Sequence, residues 1–248
     1  MTQVYDTIVL GLGGIGSGAL YWLARRLGNQ VLGLEQFELG HERGGSQDHS
    51  RIIRLSYHTP GYVALAKAAY EAWTAVEADL GERLILRTGG LDLYPADAAI
   101  PMAGYVDSMT AAGVPFERLT AAEVMARWPQ FRLPADVQAV FQAESGIAPA
   151  ARCNVAHLRL ARAYGAAIVE RAPVTAVHAH DGGVALVAGG VTYHCRRLVV
   201  AGGAWTNDVL RHFNRRLPLT VTQEQVVYYN TPHAAEFMPD RFPIWIWM

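Results

Sequence analysis

An α/β fold is predicted for this chain of 248 residues, and three features of the sequence predict it. A short apolar run, Thr7 to Leu10, enters a glycine-rich turn and is followed by apolar residues at helical spacing. A second apolar run, Val31 to Glu35, comes directly after, so the opening reads as a βαβ unit with a right-handed crossover. Later in the chain the alternation of helix and strand resumes, with several strand signals close together.

The first helix is read from Ser17 to Leu27, where Leu20, Leu23, Ala24 and Leu27 form one stripe and Gly28-Asn29 stops it. Residues 36 to 51 are polar and glycine-rich, which reads as a loop. Tyr62 to Leu80 is a longer helix, with Val63, Ala66, Tyr70, Trp73, Val76 and Leu80 on one face. Two strand signals, Leu84 to Arg87 and Gly90 to Tyr94, precede a helix over Pro101 to Ala112. Thr120-Ala-Ala-Glu123 is a capping box, whose hydroxyl and carboxylate satisfy orphan amides at a helix start.

A helix from Val155 to Tyr164 stops at Gly165 and leads to the strand Ala167 to Glu170. Val174 to His180, Val184 to Val187 and Val191 to Cys195 are separated by turns at Asp181-Gly182-Gly183 and Gly189-Gly190, the pattern of a β-meander. A buried strand, Leu198 to Ala201, runs into Gly202-Gly203. Leu219 to Tyr229 alternates as a strand. Residues 244 to 248 read as another, with Trp245 and Trp247 as strand core.

Composition narrows the function classes. Half of the chain is apolar, 17% is charged and the net charge is −1, an enzyme-like balance with no field to draw in nucleic acid or an acidic membrane. The N-terminus lacks the basic and apolar regions of a signal peptide. No apolar stretch reaches the ~20 residues that span a bilayer. Cys153 and Cys195 have no metal-type spacing and read as buried small hydrophobes. His178 and His180 share a strand face without a third ligand and read as a solvated hairpin edge. A cytoplasmic protein without a metal is expected.

Gly11-Leu-Gly13-Gly-Ile-Gly16 is a G-x-G-x-x-G sequence. Alone it is weak, because any glycine-rich connector can match. Here a strand precedes it, a helix follows it, and the acid Glu35 closes the next strand. Gly11 permits the tight turn, Gly13 lets the backbone approach a diphosphate, and Gly16 allows close helix–strand packing. The helix N-terminus offers free amides and its positive dipole end. A carboxylate at Glu35 can accept both hydroxyls of a ribose and disfavours a 2′-phosphate, hence NADP. A late strand returning through a meander fits a flavoprotein better than an NAD dehydrogenase, so FAD is the expected cofactor.

The segment Gly44-Gly-Ser-Gln-Asp-His-Ser-Arg-Ile-Ile-Arg54, followed by Tyr57, resembles the flavin-contact segment of the monomeric sarcosine oxidase and N-methyltryptophan oxidase family. TGGLDLYP, RWPQF, ESGIAP and VVAGGAWT continue the resemblance in order along nearly the whole chain. It implies that Arg51 lies against the flavin ring and stabilises the reduced flavin, while Arg54 binds a substrate carboxylate. On spacing alone the two would read as an ordinary exposed or salt-bridged pair. It also implies Ser50 as a cofactor contact, and a cofactor-binding set of Gly11, Gly13, Gly14, Ile15, Gly16, Glu35, Gln36, Ser50, Arg51, Val174 and Gly202. One departure is Gln47, where family members commonly have a histidine; His49 lies two residues before Arg51 instead. His58 reads equally as a site-lining or a loop histidine.

The activity implied is oxidation of a secondary amine such as an N-methyl amino acid. Hydride goes to flavin, the imine is hydrolysed and oxygen is reduced to peroxide. The partners are thus a small amine and oxygen. An FAD-dependent dehydrogenase, a D-amino-acid-type oxidase or a non-catalytic nucleotide-binding fragment are the alternatives. The fold implied is a Rossmann-like FAD-binding domain, residues 1–85 and 146–217, with an interleaved α+β substrate domain, 86–145 and 218–248. The family's C-terminal third carries the cysteine that links flavin covalently and the lysines near it. The chain is therefore read as truncated.

Overall fold

The computed structural model describes residues 4–248; Met1 to Gln3, which open the N-terminal reading, lie outside the described residues. Strand β1 (Val4–Leu10), helix α1 (Gly14–Leu27) and β2 (Val31–Leu34) come first. They are followed by β3 (Arg51–Ile53), α2 (Pro60–Leu80), β4 (Leu86–Arg87), β5 (Gly90–Tyr94), α3 (Met102–Ala111), β6 (Glu117–Thr120), α4 (Ala121–Arg127), β7 (Gln138–Gln142) and β8 (Gly146–Ala148). Then come α5 (Ala150–Ala163), β9 (Ala167–Val169), β10 (Val174–His180), β11 (Gly183–Ala188), β12 (Val191–Val200), α6 (Thr206–Leu210) and β13 (Ile244–Trp247).

The chain divides into two compact units. The first comprises residues up to His49 together with Ala150–Gln225, and the second Ser50–Pro149 with Val226–Met248. The first boundary, expected near residue 85, therefore falls at His49 and Ser50. The reason is that β3 pairs with β8 and α2 packs on α3, which ties residues 51 to 80 to the second unit.

In the first unit six strands form one sheet in the order β10-β11-β12-β1-β2-β9. β1 is parallel to both β2 and β12, and β2 is parallel to β9. Ile8, Leu10, Leu32, Leu34, Val177 and Leu186 form its buried core, as continuous apolar runs covered on both faces should. α1 begins at Gly14, three residues before the stripe marks it, because Gly14 and Gly16 contribute no side chain to the apolar stripe and Ile15 points out of it. The strand signals 191–195 and 198–201 belong to one strand: β12 pairs antiparallel with β11 through Val191 to Cys195 and parallel with β1 from His194 to Val200.

The second unit holds a four-stranded sheet, β13-β5-β7-β6, and a three-stranded one, β3-β8-β4. Leu91 and Leu93 point from β5 into a cluster with Val124, Trp128 and Phe141. Tyr94, on the opposite face by period two, joins Leu55, Val63, Tyr105 and Met109. Thr120 and Glu123 form the anticipated capping box of α4, with the Thr120 amide donating to Glu123 at 2.7 Å.

Several expectations change. The loop read over residues 36 to 51 ends one residue early, because β3 begins at Arg51. β6, β7 and β8 carried no sequence signal. The strand expected over 219–229 has no ladder, and Leu219, Val221, Val227 and Tyr229 are exposed, because alternation marks an extended segment but supplies no partner. Trp245 and Trp247 are each 48% exposed rather than core: period two puts both on one face of β13 and the half-buried Ile244 and Ile246 on the other. Among the described residues no helix is long and apolar enough to cross a membrane.

Candidate functional site

The glycine turn after β1 is built as its spacing requires. Gly11 has φ +85°, its N–H donates to Leu34 O at 2.8 Å, and a Cβ there would stand 2.5 Å from Ala201 O. A Cβ on Gly16 would stand 1.7 Å from Gly11 O, so only glycine lets α1 start this close to the turn. Gly13, extended at the N-cap, supplies no side-chain cap to the first amides of α1. The Gly14 amide donates to Ser46 Oγ at 2.7 Å.

Glu35 stands one residue beyond β2 and is 5% exposed. Its Oε2 accepts the Leu12 amide at 2.9 Å and its Oε1 accepts the Phe37 amide at 3.1 Å. His41 Nε2 lies 3.6 Å from Oε1. A carboxylate has about four lone-pair directions. Two remain for a ligand hydroxyl pair.

A cavity of about 260 Å³ opens over this turn. Of the sequence-derived set, Gly11, Gly13, Gly14, Ile15, Glu35, Gln36, Val174 and Gly202 line it. Gly16 does not, because its work is packing beneath the turn. Ile15 is 81% exposed, an apolar side chain standing at the rim. Phe37 meets Trp205 edge-on at 5.3 Å beside it. A glycine-lined turn, a helix N-terminus and a buried carboxylate with spare acceptors fit the ADP half of FAD.

Ser46, Asn154 and His157 escaped the sequence reading. Asn154 Nδ2 donates to Ser46 O at 3.1 Å, and buried Ser17 Oγ lies 3.4 Å from both Asn154 Oδ1 and His157 Nδ1. The network ties the loop carrying Ser46 to α1 and α5. Burial lowers the His157 pKa to about 4, so the ring is neutral at pH 7. No local signal marks these residues, which meet only because α1 packs on α5.

The remaining candidates, Ser50, Arg51 and Arg54, belong to the second unit. Arg51 opens β3 as an exposed residue, and its Nη1 donates to Ser50 O at 2.7 Å. Arg54 follows β3, with its side chain 16% exposed, and donates from Nη1 to Asp92 Oδ1 at 2.8 Å. Its guanidinium carbon lies 4.9 Å from the Tyr57 ring centroid and 5.9 Å from that of Tyr105. Asp92 was not anticipated; its trace was an acid in the middle of the apolar strand Gly-Leu-Asp-Leu-Tyr. His58 lies 5.4 Å from the Tyr105 ring. His178 and His180 are exposed on β10, Cys153 and Cys195 are buried, and the described residues contain no cluster that could hold a metal ion.

A parallel βαβ unit with a glycine-lined turn, closed by an acid after its second strand, defines a dinucleotide-binding scaffold. The chain belongs to the DAO family, FAD dependent oxidoreductase, whose sequence model matches residues 6–246. FAD is the cofactor of that family. The chain is similar to a monomeric sarcosine oxidase of Streptomyces avermitilis, 35% identical over 250 residues, covering 100% of this chain and 64% of the relative. An N-methyl-L-tryptophan oxidase of Salmonella arizonae is 34% identical over 202 residues, which cover 81% of this chain and 54% of that protein. Among solved structures, the open form of NikD, an amino acid oxidase essential for nikkomycin biosynthesis, superposes with a TM-score of 0.77 at 29% identity, covering 85% of this chain and 54% of that one. The chain thus spans less than two thirds of the length of these relatives.

Proposed function

We propose that this chain oxidises a secondary amine bearing an acid group, such as an N-methyl amino acid, with FAD as the acceptor and oxygen as the final oxidant. The observation that carries the reading is Glu35, held at the tip of the first turn by the Leu12 and Phe37 amides, with the Gly13 and Gly14 backbone beside it. When bound, FAD accepts hydride from a carbon next to nitrogen, and oxygen removes the electrons as peroxide. The chain's own residues bind, orient and tune charge.

In this reading the amides at the start of α1 hold the diphosphate and Glu35 the ribose hydroxyls. Gln36, Val174 and Gly202 form the wall on the adenosine side. Ser50 and Arg51 contact the cofactor, and the permanent positive charge of Arg51 offsets negative charge on the reduced ring. Arg54 holds the substrate carboxylate with the N–H donors that Asp92 leaves over. The similarity to sarcosine and N-methyl-L-tryptophan oxidases supports the choice of amine.

The test is direct. The purified chain should be yellow, retain FAD through gel filtration, and consume oxygen when an N-methyl amino acid is added. A protein that stays colourless with added FAD would defeat the reading. FAD reduction without oxygen uptake, rescued by an artificial acceptor, would make it a dehydrogenase.

A further inference from the structure

β5 carries an acid where its neighbours call for an apolar residue. Leu91 and Leu93 enter one core cluster, while the opposite face of the strand presents Asp92 and Tyr94 to the cluster of Leu55, Val63, Tyr105 and Met109. Asp92 is 4% exposed. A carboxylate buried there is tolerated only with a strong partner. Arg54 is that partner, at 2.8 Å, and Ser56 adds a side-chain hydrogen bond.

Orientation of Arg54 does not rest on Asp92 alone. The faces of Tyr57 and Tyr105 flank the guanidinium, and its backbone follows directly from β3. What Asp92 adds beyond orientation is a negative charge in contact with the guanidinium. Resting on the reading that Arg54 receives the substrate's acid group, we infer that Asp92 determines specificity: it is a resident competitor that weakens the hold of Arg54 on an incoming carboxylate.

The electrostatics follow from placement. An incoming carboxylate on Arg54 brings a second negative charge within a few ångströms of the first, and like carboxylates sharing one cation repel. A ligand with a neutral acceptor, such as an amide carbonyl, meets no such opposition. The Tyr94 hydroxyl is buried on the same strand face, interacts electrostatically with both Asp92 and Arg54, and has no hydrogen-bond partner among the described residues.

The experiment is calorimetric titration of the FAD-loaded chain with methoxyacetate and with methoxyacetamide, an acid and an amide that carry no amine to be oxidised, in the wild type, Asp92→Asn and Arg54→Gln. Asn keeps an acceptor for the Arg54 N–H and removes the charge. Asp92→Asn should lower the Kd of the acid by about tenfold or more without tightening the amide. An acid Kd that stays within twofold, or that rises, overturns the inference. If Asp92→Asn melts well below the wild type, Asp92→Ser serves as the second variant, read by the ratio of the two Kd values in the same protein. Arg54→Gln separates the premises. An acid Kd unmoved by that change, or an acid that binds neither the wild type nor Asp92→Asn, overturns the role of Arg54 itself.

Discussion

Glu35 Oε2 accepts the Leu12 amide across the first crossover, at 2.9 Å, so the acid that ends one strand is fastened to the turn that ends its neighbour. The carboxylate therefore closes the turn as well as facing the cavity. Glu35→Gln replaces an acceptor by an NH₂ that cannot serve the Leu12 and Phe37 amides together. FAD and ADP affinity should each fall about tenfold or more, as expected for loss of charge-assisted bonds. Fluorescence titration of both ligands is the check; equal loss for the two assigns the effect to the adenosine half.

Gly16→Ala should be far more damaging than Gly18→Ala, although the two lie on one helix. At Gly16 a methyl would stand 1.7 Å from the Gly11 carbonyl oxygen, whereas at Gly18 it meets only the His157 ring at 3.5 Å. The first substitution should cost roughly 3 kcal/mol or more. The second should be neutral or stabilise by about 0.5–1 kcal/mol through helix propensity. Urea unfolding of both proteins tests the contrast.

His157 should make the protein acid-sensitive. Burial brings its pKa to about 4 from the ordinary 6.5, so between those values the unfolded chain binds the extra proton. Stability then rises with pH across that window, is fully expressed above about 6.5, and is lost as pH falls toward 4. The largest loss from this group is roughly 3 kcal/mol. Unfolding of His157→Gln should show a pH slope shallower by about one proton between pH 4.5 and 6.

Arg54 and Asp92 should behave as one unit in stability. Arg54→Met strands a buried carboxylate and should cost about 3–5 kcal/mol, whereas adding Asp92→Leu should recover most of that loss. A thermal-denaturation double-mutant cycle measures the coupling. Additive losses would show that the pair is too well solvated to matter.

What was legible in the sequence is what local chemistry dictates. Gly11, Gly13 and Gly16 have few alternatives at their positions, and an acid at the end of the following strand is read from its distance alone. The capping box at Thr120 needs only four residues. Asp92 was illegible because one acid in a short apolar strand looks the same whether it faces water or a guanidinium held 38 residues away. Ser46, Asn154 and His157 are joined by helix packing that leaves no trace in spacing. The segment 219–229 was misread for a related reason: alternation states that a chain is extended, and only a neighbour makes it a strand.

β12 spans both halves of the larger sheet, and this has a bearing on the cavity. Val174 opens β10 and Gly202 follows β12, so two of the cavity walls are the ends of a single folded ribbon. Its two hairpin turns are set by Gly182, Gly183, Gly189 and Gly190, all at positive φ. The meander thus acts as a ruler whose divisions are residues. Deleting one residue between Val191 and Val200 would turn over every side chain on one side of the break and shift the other wall by a full rung.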